Sequence, residues 1–117
     1  MKRTMSMTNF SKYDVIIVKF PFASSLKYKA RPAVVVSSRR YNECSRDTLL
    51  ILAISSNVDH RLEFEPEIIE WQASGLLKPS IFKSAVATIE KSHILTKVGT
   101  LSPPDIESLE TLIGNIC

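Results

Sequence analysis

Thr48-Leu49-Leu50-Ile51-Leu52-Ala53-Ile54-Ser55 sets the reading of this chain. An apolar run of this length, bounded by hydroxyl residues, matches a strand buried on both faces and so the centre of a sheet. Upstream, Pro32 opens a second strand, Ala33 to Ser37, where a residue without a backbone N–H suits the first position. Further upstream, Tyr13 to Phe20 is rich in β-branched residues and is closed by Pro21. Two polar stretches separate these strands. Phe22 to Arg31 contains Ser24, Ser25, Lys27, Tyr28 and Lys29; Ser38 to Asp47 contains three arginines. Both are read as loops.

Downstream of the central strand, Ser56 to His60 turns the chain. Arg61 to Glu65 alternates, with Leu62 and Phe64 on one face, which is the period of a half-buried strand that Pro66 stops. Glu67 to Ser74 reads as a short helix, with acids in its first turn, Gly75 as terminator and Ile68, Ile69 and Trp71 facing inward. Ser80 to Ile89 alternates as a strand, and Ile94 to Leu101 is a shorter one broken by Gly99. Ser102 caps a C-terminal helix whose first turn is fixed by Pro103 and Pro104, with Asp105 at capping-box spacing. Ile106, Leu109, Leu112 and Ile113 form its apolar stripe, and Gly114 is its expected end. Five or six short strands without βαβ alternation make a mainly β chain. The expected architecture is a small antiparallel barrel with a short internal helix and a C-terminal helix. Closure of such a barrel leaves no exposed edge.

The 117 residues form one domain, 1–117, with residues 1–12 expected as a flexible N-terminal extension. An apolar share of 44% and a charged share of 23% exclude a disordered chain. No apolar run approaches the ~20 residues of a membrane span. The segment after Met1 lacks the apolar core of a secretory signal. The expectation is a cytoplasmic protein that meets no membrane. Cys44 and Cys117 lack metal-ligand spacing and are read as free thiols. The three glycines are far apart, which excludes a glycine-rich phosphate loop, and no zinc motif occurs. No cofactor and no metal are expected. Residues 1–46 carry ten Lys and Arg against two acids, whereas residues 47–117 carry five against ten. That asymmetry points to a polyanionic partner for the basic half, unless folding mixes the two halves over one surface.

Three sets of residues carry possible chemistry. His60 and His93 have the near-neutral pKa that suits an acid–base pair, although each also has a plain place in a turn. The stretch from Ser25 to Arg31 is basic and includes Tyr28. A cationic loop over a rigid sheet holds a phosphate backbone, and an aromatic ring stacks on an unpaired base. Solvation of an exposed loop is the plainer explanation of the same charges. Ser55, where the third strand leaves the core, offers a positioned hydroxyl; capping its own backbone is the plainer role.

The order of motifs is similar to that of the PemK/MazF-like endoribonuclease toxins of bacterial toxin–antitoxin systems. The residues that carry it are Phe20-Pro21-Phe22, Arg31-Pro32-Ala33-Val34-Val35-Val36-Ser37, Leu52-Ala53-Ile54-Ser55-Ser56, Trp71-Gln72-Ala73-Ser74-Gly75-Leu76-Leu77-Lys78-Pro79-Ser80, Ala87-Thr88-Ile89 and Val98-Gly99-Thr100-Leu101-Ser102. The resemblance spans about Tyr13 to Ile113. It implies an SH3-like barrel of the CcdB/MazF type, working as a homodimer and neutralised by a cognate antitoxin. It implies metal-independent cleavage of single-stranded RNA by 2′-hydroxyl attack, leaving a 2′,3′-cyclic phosphate and a 5′-hydroxyl. The catalytic positions fall on Arg31 and Ser55. Ser25, Lys27, Tyr28, Lys29, Ser56, Lys83 and Ser84 are the implied substrate-binding residues. Other members often have threonine where this chain has Ser55, which keeps the hydroxyl and lacks the methyl. Two other classes share the barrel: CcdB-like gyrase poisons, whose aromatic C-terminal anchor the tail Gly114-Asn115-Ile116-Cys117 lacks, and inactive RNA- or protein-binding barrels.

Overall fold

The apolar run at Thr48–Ser55 does form a strand inside the sheet, paired on both sides and with most of its side chains buried. The computed structural model describes residues 9–21, 28–45 and 47–117, without the side chains of residues 20, 21 and 28. In chain order it contains β1 (Asp14–Pro21), β2 (Tyr28–Val35), α1 (Arg39–Cys44), β3 (Thr48–Ser55), β4 (Ile81–Glu90), a 3-10 turn at Lys91–His93, β5 (Ile94–Thr100) and α2 (Pro103–Ile116). The five strands form one antiparallel sheet in the order β4-β3-β2-β1-β5.

Strand alternation divides the apolar side chains between two clusters. Val15, Val34, Leu52, Ile54 and Phe82 pack with Leu109 and Leu112 of α2. Ile16, Val18, Ala33, Val35, Leu49, Ile51 and Ile89 pack together on the other face, with Ile94 at their margin. That second cluster draws on all five strands, so the sheet coils around it as a barrel does. The ladder itself stays open: among the described residues β4 and β5 are its edges, where a closed barrel was expected. The short 3-10 turn that links them leaves no length for a further strand.

Other expectations are corrected. Arg61–Glu65 is not a strand: Leu62 and Phe64 are exposed, and the buried group is the Glu65 carboxylate, 1% exposed. Glu67–Ser74 is a run of turns rather than a helix, and Asp105 of α2 accepts the N–H groups of Ile69 and Glu70 from 36 and 35 residues away. Ile68 is buried as expected, but Ile69 faces outward. The stretch at 38–47 is not all loop. Ser38 caps α1 by accepting the Tyr41 N–H, and Arg39 pairs with Glu43 one turn on. α2 runs through Gly114 to Ile116, and the Ser102 hydroxyl donates to Asp105 rather than accepting a backbone N–H.

Of the expected N-terminal extension, residues 1–8 lie outside the described residues. Phe10 packs against the second cluster, its carbonyl accepts from Asn42, and Lys12 reaches Glu110. Cys44 and Cys117 are both exposed and unpaired. No helix among the described residues is long and apolar enough to cross a membrane.

Candidate active site

The site grows from a break in the ladder. β2 pairs with β1 from Tyr28 to Val34, but with β3 only from Ala33 to Val35. Pro32, without an N–H, stands one residue before that pairing begins. Ala33 lies opposite Ala53. Beyond that pair the ladder stops: neither Arg31 nor Ser55 pairs across β2 and β3, and where the strands part Ala30, Arg31 and Ser56 face open space, while Ser55 is not part of its lining. A groove of about 650 Å³ opens there, lined by Lys29, Arg31, Ser56, Leu76, Leu77 and Lys78 among others. Arg31 therefore sits inside β2, opposite Val18, and not at a loop–strand junction.

The groove is electrostatically one-sided. Among the described residues it is lined by three cations and no acid. Among the described residues, no acid pairs with Lys29, Arg31 or Lys78. Uncompensated cations in a concave surface raise the local concentration of anions. A second groove of about 570 Å³, beside α1, lacks this property. There Arg39 is held by Glu43 at 3.0 Å, and Lys91 donates to the carbonyls of Asn42 and Ser45 at 3.4 and 3.1 Å.

Ser55 is half-buried at the end of β3, and its Oγ accepts the Asn57 N–H at 3.0 Å. Backbone capping is thus present, but it occupies a lone pair only. The hydroxyl proton remains available to a ligand.

The far wall depends on two glycines. A Cβ on Gly75, whose φ is +90°, would lie 2.2 Å from the Val98 carbonyl oxygen; one on Gly99 would lie 2.3 Å from that of Ser74. Only residues without a side chain let these backbones touch. Behind the wall, the wholly buried Asp105 accepts from Ile69 N–H at 2.7 Å, Glu70 N–H at 2.9 Å and the Ser102 hydroxyl at 3.2 Å. The wall is thereby tied to the first turn of α2.

Lys83 and Ser84 lie outside this groove, on β4, where both serve Glu65. Glu65 Oε1 accepts the Leu62 N–H at 2.7 Å and Lys83 Nζ at 3.2 Å; Oε2 accepts the Ser84 N–H at 2.7 Å and its hydroxyl at 2.8 Å. Burial pushes the Glu65 carboxyl up, but those donors outweigh it and hold the group down at about 2. The cluster staples the connection after Ser56 to β4. His60 and His93 are not brought together: the His60 carbonyl takes Lys83 early in β4, while His93 follows that strand's end. Ser25, Lys27 and the side chain of Tyr28 lie outside the described residues; the Tyr28 backbone pairs with Pro21. The sequence reading missed Leu77, Lys78 and Glu65 as parts of the site and its support. For the first two the only local signal is an apolar–cationic pair set before Pro79.

A family model described as PemK-like, MazF-like toxin of type II toxin–antitoxin system matches residues 11–117. No curated protein matches the chain. Among solved structures, the chain is similar to the Mycobacterium tuberculosis toxin MazF-mt6, with a TM-score of 0.71 and 20% identity over 88% of this chain and 94% of that one. It is also similar to an endoribonuclease in complex with its cognate antitoxin from Mycobacterial species, with a TM-score of 0.70 and 14% identity over 96% and 94%. A third is the MazE–MazF structure from Deinococcus radiodurans, with a TM-score of 0.63 and 14% identity over 91% of each chain. At these identities the likeness is one of fold.

Proposed function

The chain belongs to the PemK-like, MazF-like toxins of type II toxin–antitoxin systems, and on that premise we propose that it is an endoribonuclease that cuts single-stranded RNA without a metal ion. The single observation that supports this reading is the cationic groove at the point where β2 leaves β3, lined by Lys29, Arg31, Ser56 and Lys78 with no acid paired to its cations among the described residues.

The chemistry follows from the charges. The ribose 2′-oxygen bonds to phosphorus as the P–O5′ bond breaks. The 2′-hydroxyl loses its proton and O5′ gains one, leaving a 2′,3′-cyclic phosphate and a 5′-hydroxyl. The substrate supplies its own nucleophile, so no water needs activation by a metal. Negative charge gathers on the phosphate oxygens in the transition state, and fixed donors aimed at it lower the barrier. Arg31 offers a planar, permanently charged fork that matches phosphate and stabilises the charge on it, while the 2′-hydroxyl proton passes to solvent and O5′ takes one from solvent. The Ser55 hydroxyl donates to a non-bridging oxygen. Lys29, Ser56 and Lys78 hold flanking phosphates, and Ser25, Lys27 and Tyr28 extend the track. Lys83 and Ser84 act indirectly, through Glu65.

The active form is a homodimer, as the family implies, and a cognate antitoxin blocks it. Two of the similar structures are toxin–antitoxin complexes, which supports that partner. The test is purified protein with a long, mostly unpaired RNA in excess EDTA. Discrete fragments with cyclic phosphate ends are expected, and Arg31→Ala abolishes them. RNA that binds but stays intact would mark a binding module, and DNA breaks trapped with gyrase would mark a poison of the CcdB kind.

A further inference from the structure

Among the groove's large apolar lining residues, Leu77 alone stands almost wholly in solvent, and phosphate chemistry leaves it unused. Leu77 is 92% exposed, although Leu76 beside it is buried in the core at 8%. The chain thus turns one leucine inward as an anchor and holds the next almost wholly in solvent, on the lip of a groove. A lone exposed leucine on a surface means little. This one stands on a stiff support and within a cationic site.

The support is built from several constraints. Gly75 is locked against the Val98 carbonyl oxygen. The Leu76 N–H donates to the Trp71 carbonyl at 3.0 Å. Lys78 precedes Pro79, which restricts its backbone to extended forms. The Ser80 hydroxyl then closes on the Lys78 carbonyl at 2.9 Å. A side chain on such a strap loses little freedom when a ligand covers it.

We infer that Leu77 is a specificity-determining residue: it packs on the face of one unpaired nucleobase next to the scissile phosphate, while Lys78 holds that nucleotide's phosphate. The inference rests on the endoribonuclease reading and adds to it the element that reads the base. The occupant follows from the charges. A ligand drawn by Lys29, Arg31 and Lys78 is polyanionic, and a single-stranded nucleic acid is a polyanion that also carries flat apolar surfaces. Covering a leucine side chain with a base removes apolar area from water in the ground state and the transition state alike. Its loss therefore raises KM and leaves kcat nearly unchanged.

The test uses a short single-stranded RNA containing a cleavage site mapped with the wild-type protein, and the same RNA with an abasic nucleotide on either side of the scissile bond. Leu77→Ala is expected to raise KM about tenfold at unchanged kcat. At one of the two positions the abasic RNA is expected to lose about tenfold with wild type and less than threefold with Leu77→Ala, the mark of a shared contact. Leu77→Met restores most of the KM. Additive losses at both positions, or an unchanged KM in Leu77→Ala, would overturn the base contact while the enzymatic reading stands. Failure of the wild-type protein to cut any RNA would overturn both.

Discussion

Replacing Glu65 with glutamine keeps the shape of a buried side chain and deletes its charge. Each carboxylate oxygen of Glu65 faces two donors: the Leu62 N–H and Lys83 on one side, the Ser84 N–H and hydroxyl on the other. An amide must point its NH2 at one of those pairs, so two donors confront a third. The magnitude comes from the lowered pKa. A carboxyl held at about 2 against a usual 4.5 gains roughly 3 kcal/mol in its charged form on folding. Because the folded pKa lies below the unfolded one, this stabilisation is fully present above pH 4.5. It drains away as pH falls towards 2. Urea unfolding of wild type and Glu65→Gln across that range reads it directly. At pH 7 the variant is expected to be less stable by about 3 kcal/mol, which for a chain of this size lowers the melting temperature by about 10 °C. Near pH 2.5 the unfolded carboxyl is protonated and folding must release that proton to charge Glu65, so most of the advantage is gone and the gap shrinks below about 1 kcal/mol. A gap that stays constant from pH 7 to pH 3 would refute the assignment of this stability to the buried charge.

Three further outcomes follow from the same geometry. Gly75→Ala forces a side chain into a positive φ and against the Val98 carbonyl oxygen; it should cost about 2 kcal/mol or more in chemical unfolding, and wild-type stability would contradict the close crossing. Asp105→Ala leaves the N–H groups of Ile69 and Glu70 without their acceptor, an expected loss of about 2–4 kcal/mol by thermal or urea melts; amide exchange at those two positions should rise with it. Ser55→Ala should slow RNA cleavage by ~10–1000-fold with RNA affinity nearly unchanged, as for a donor used mainly in the transition state, whereas an equal loss of affinity would make it a ground-state contact.

Much of the fold was legible because strands announce themselves by local pattern. β1, β3 and β4, and α2 except at its end, stand close to where apolar periodicity put them. The departures involve partners distant in sequence. Leu62 and Phe64 alternate like a strand, but the group that folds inward is Glu65, whose partners Lys83 and Ser84 lie on β4. Residues 67–74 carry helix signals but form turns, tied to α2 by Asp105, which accepts the Ile69 and Glu70 amides. β2 begins at Tyr28, in a stretch too polar to read as strand, because the end of β1 supplies the backbone partners down to Pro21. In the site, Arg31 was visible as a single residue, but the groove it lines with Ser56 opens only because β2 and β3 part after Ala33 and Ala53. Leu77 and Lys78 join them through the contact of Gly75 with Val98, which joins residues far apart in sequence.

Under the proposed function, the Arg31 charge, set where β2 leaves β3, stabilises the transition state of RNA cleavage. Single-turnover cleavage by Arg31→Ala at saturating RNA, in EDTA, tests it most directly. Arg31 is exposed and pairs with Val18 through its backbone, so circular dichroism should show the fold intact. The expected rate is at least about 100-fold below wild type, the scale on which one oxyanion donor acts. A rate within threefold of wild type would contradict the account.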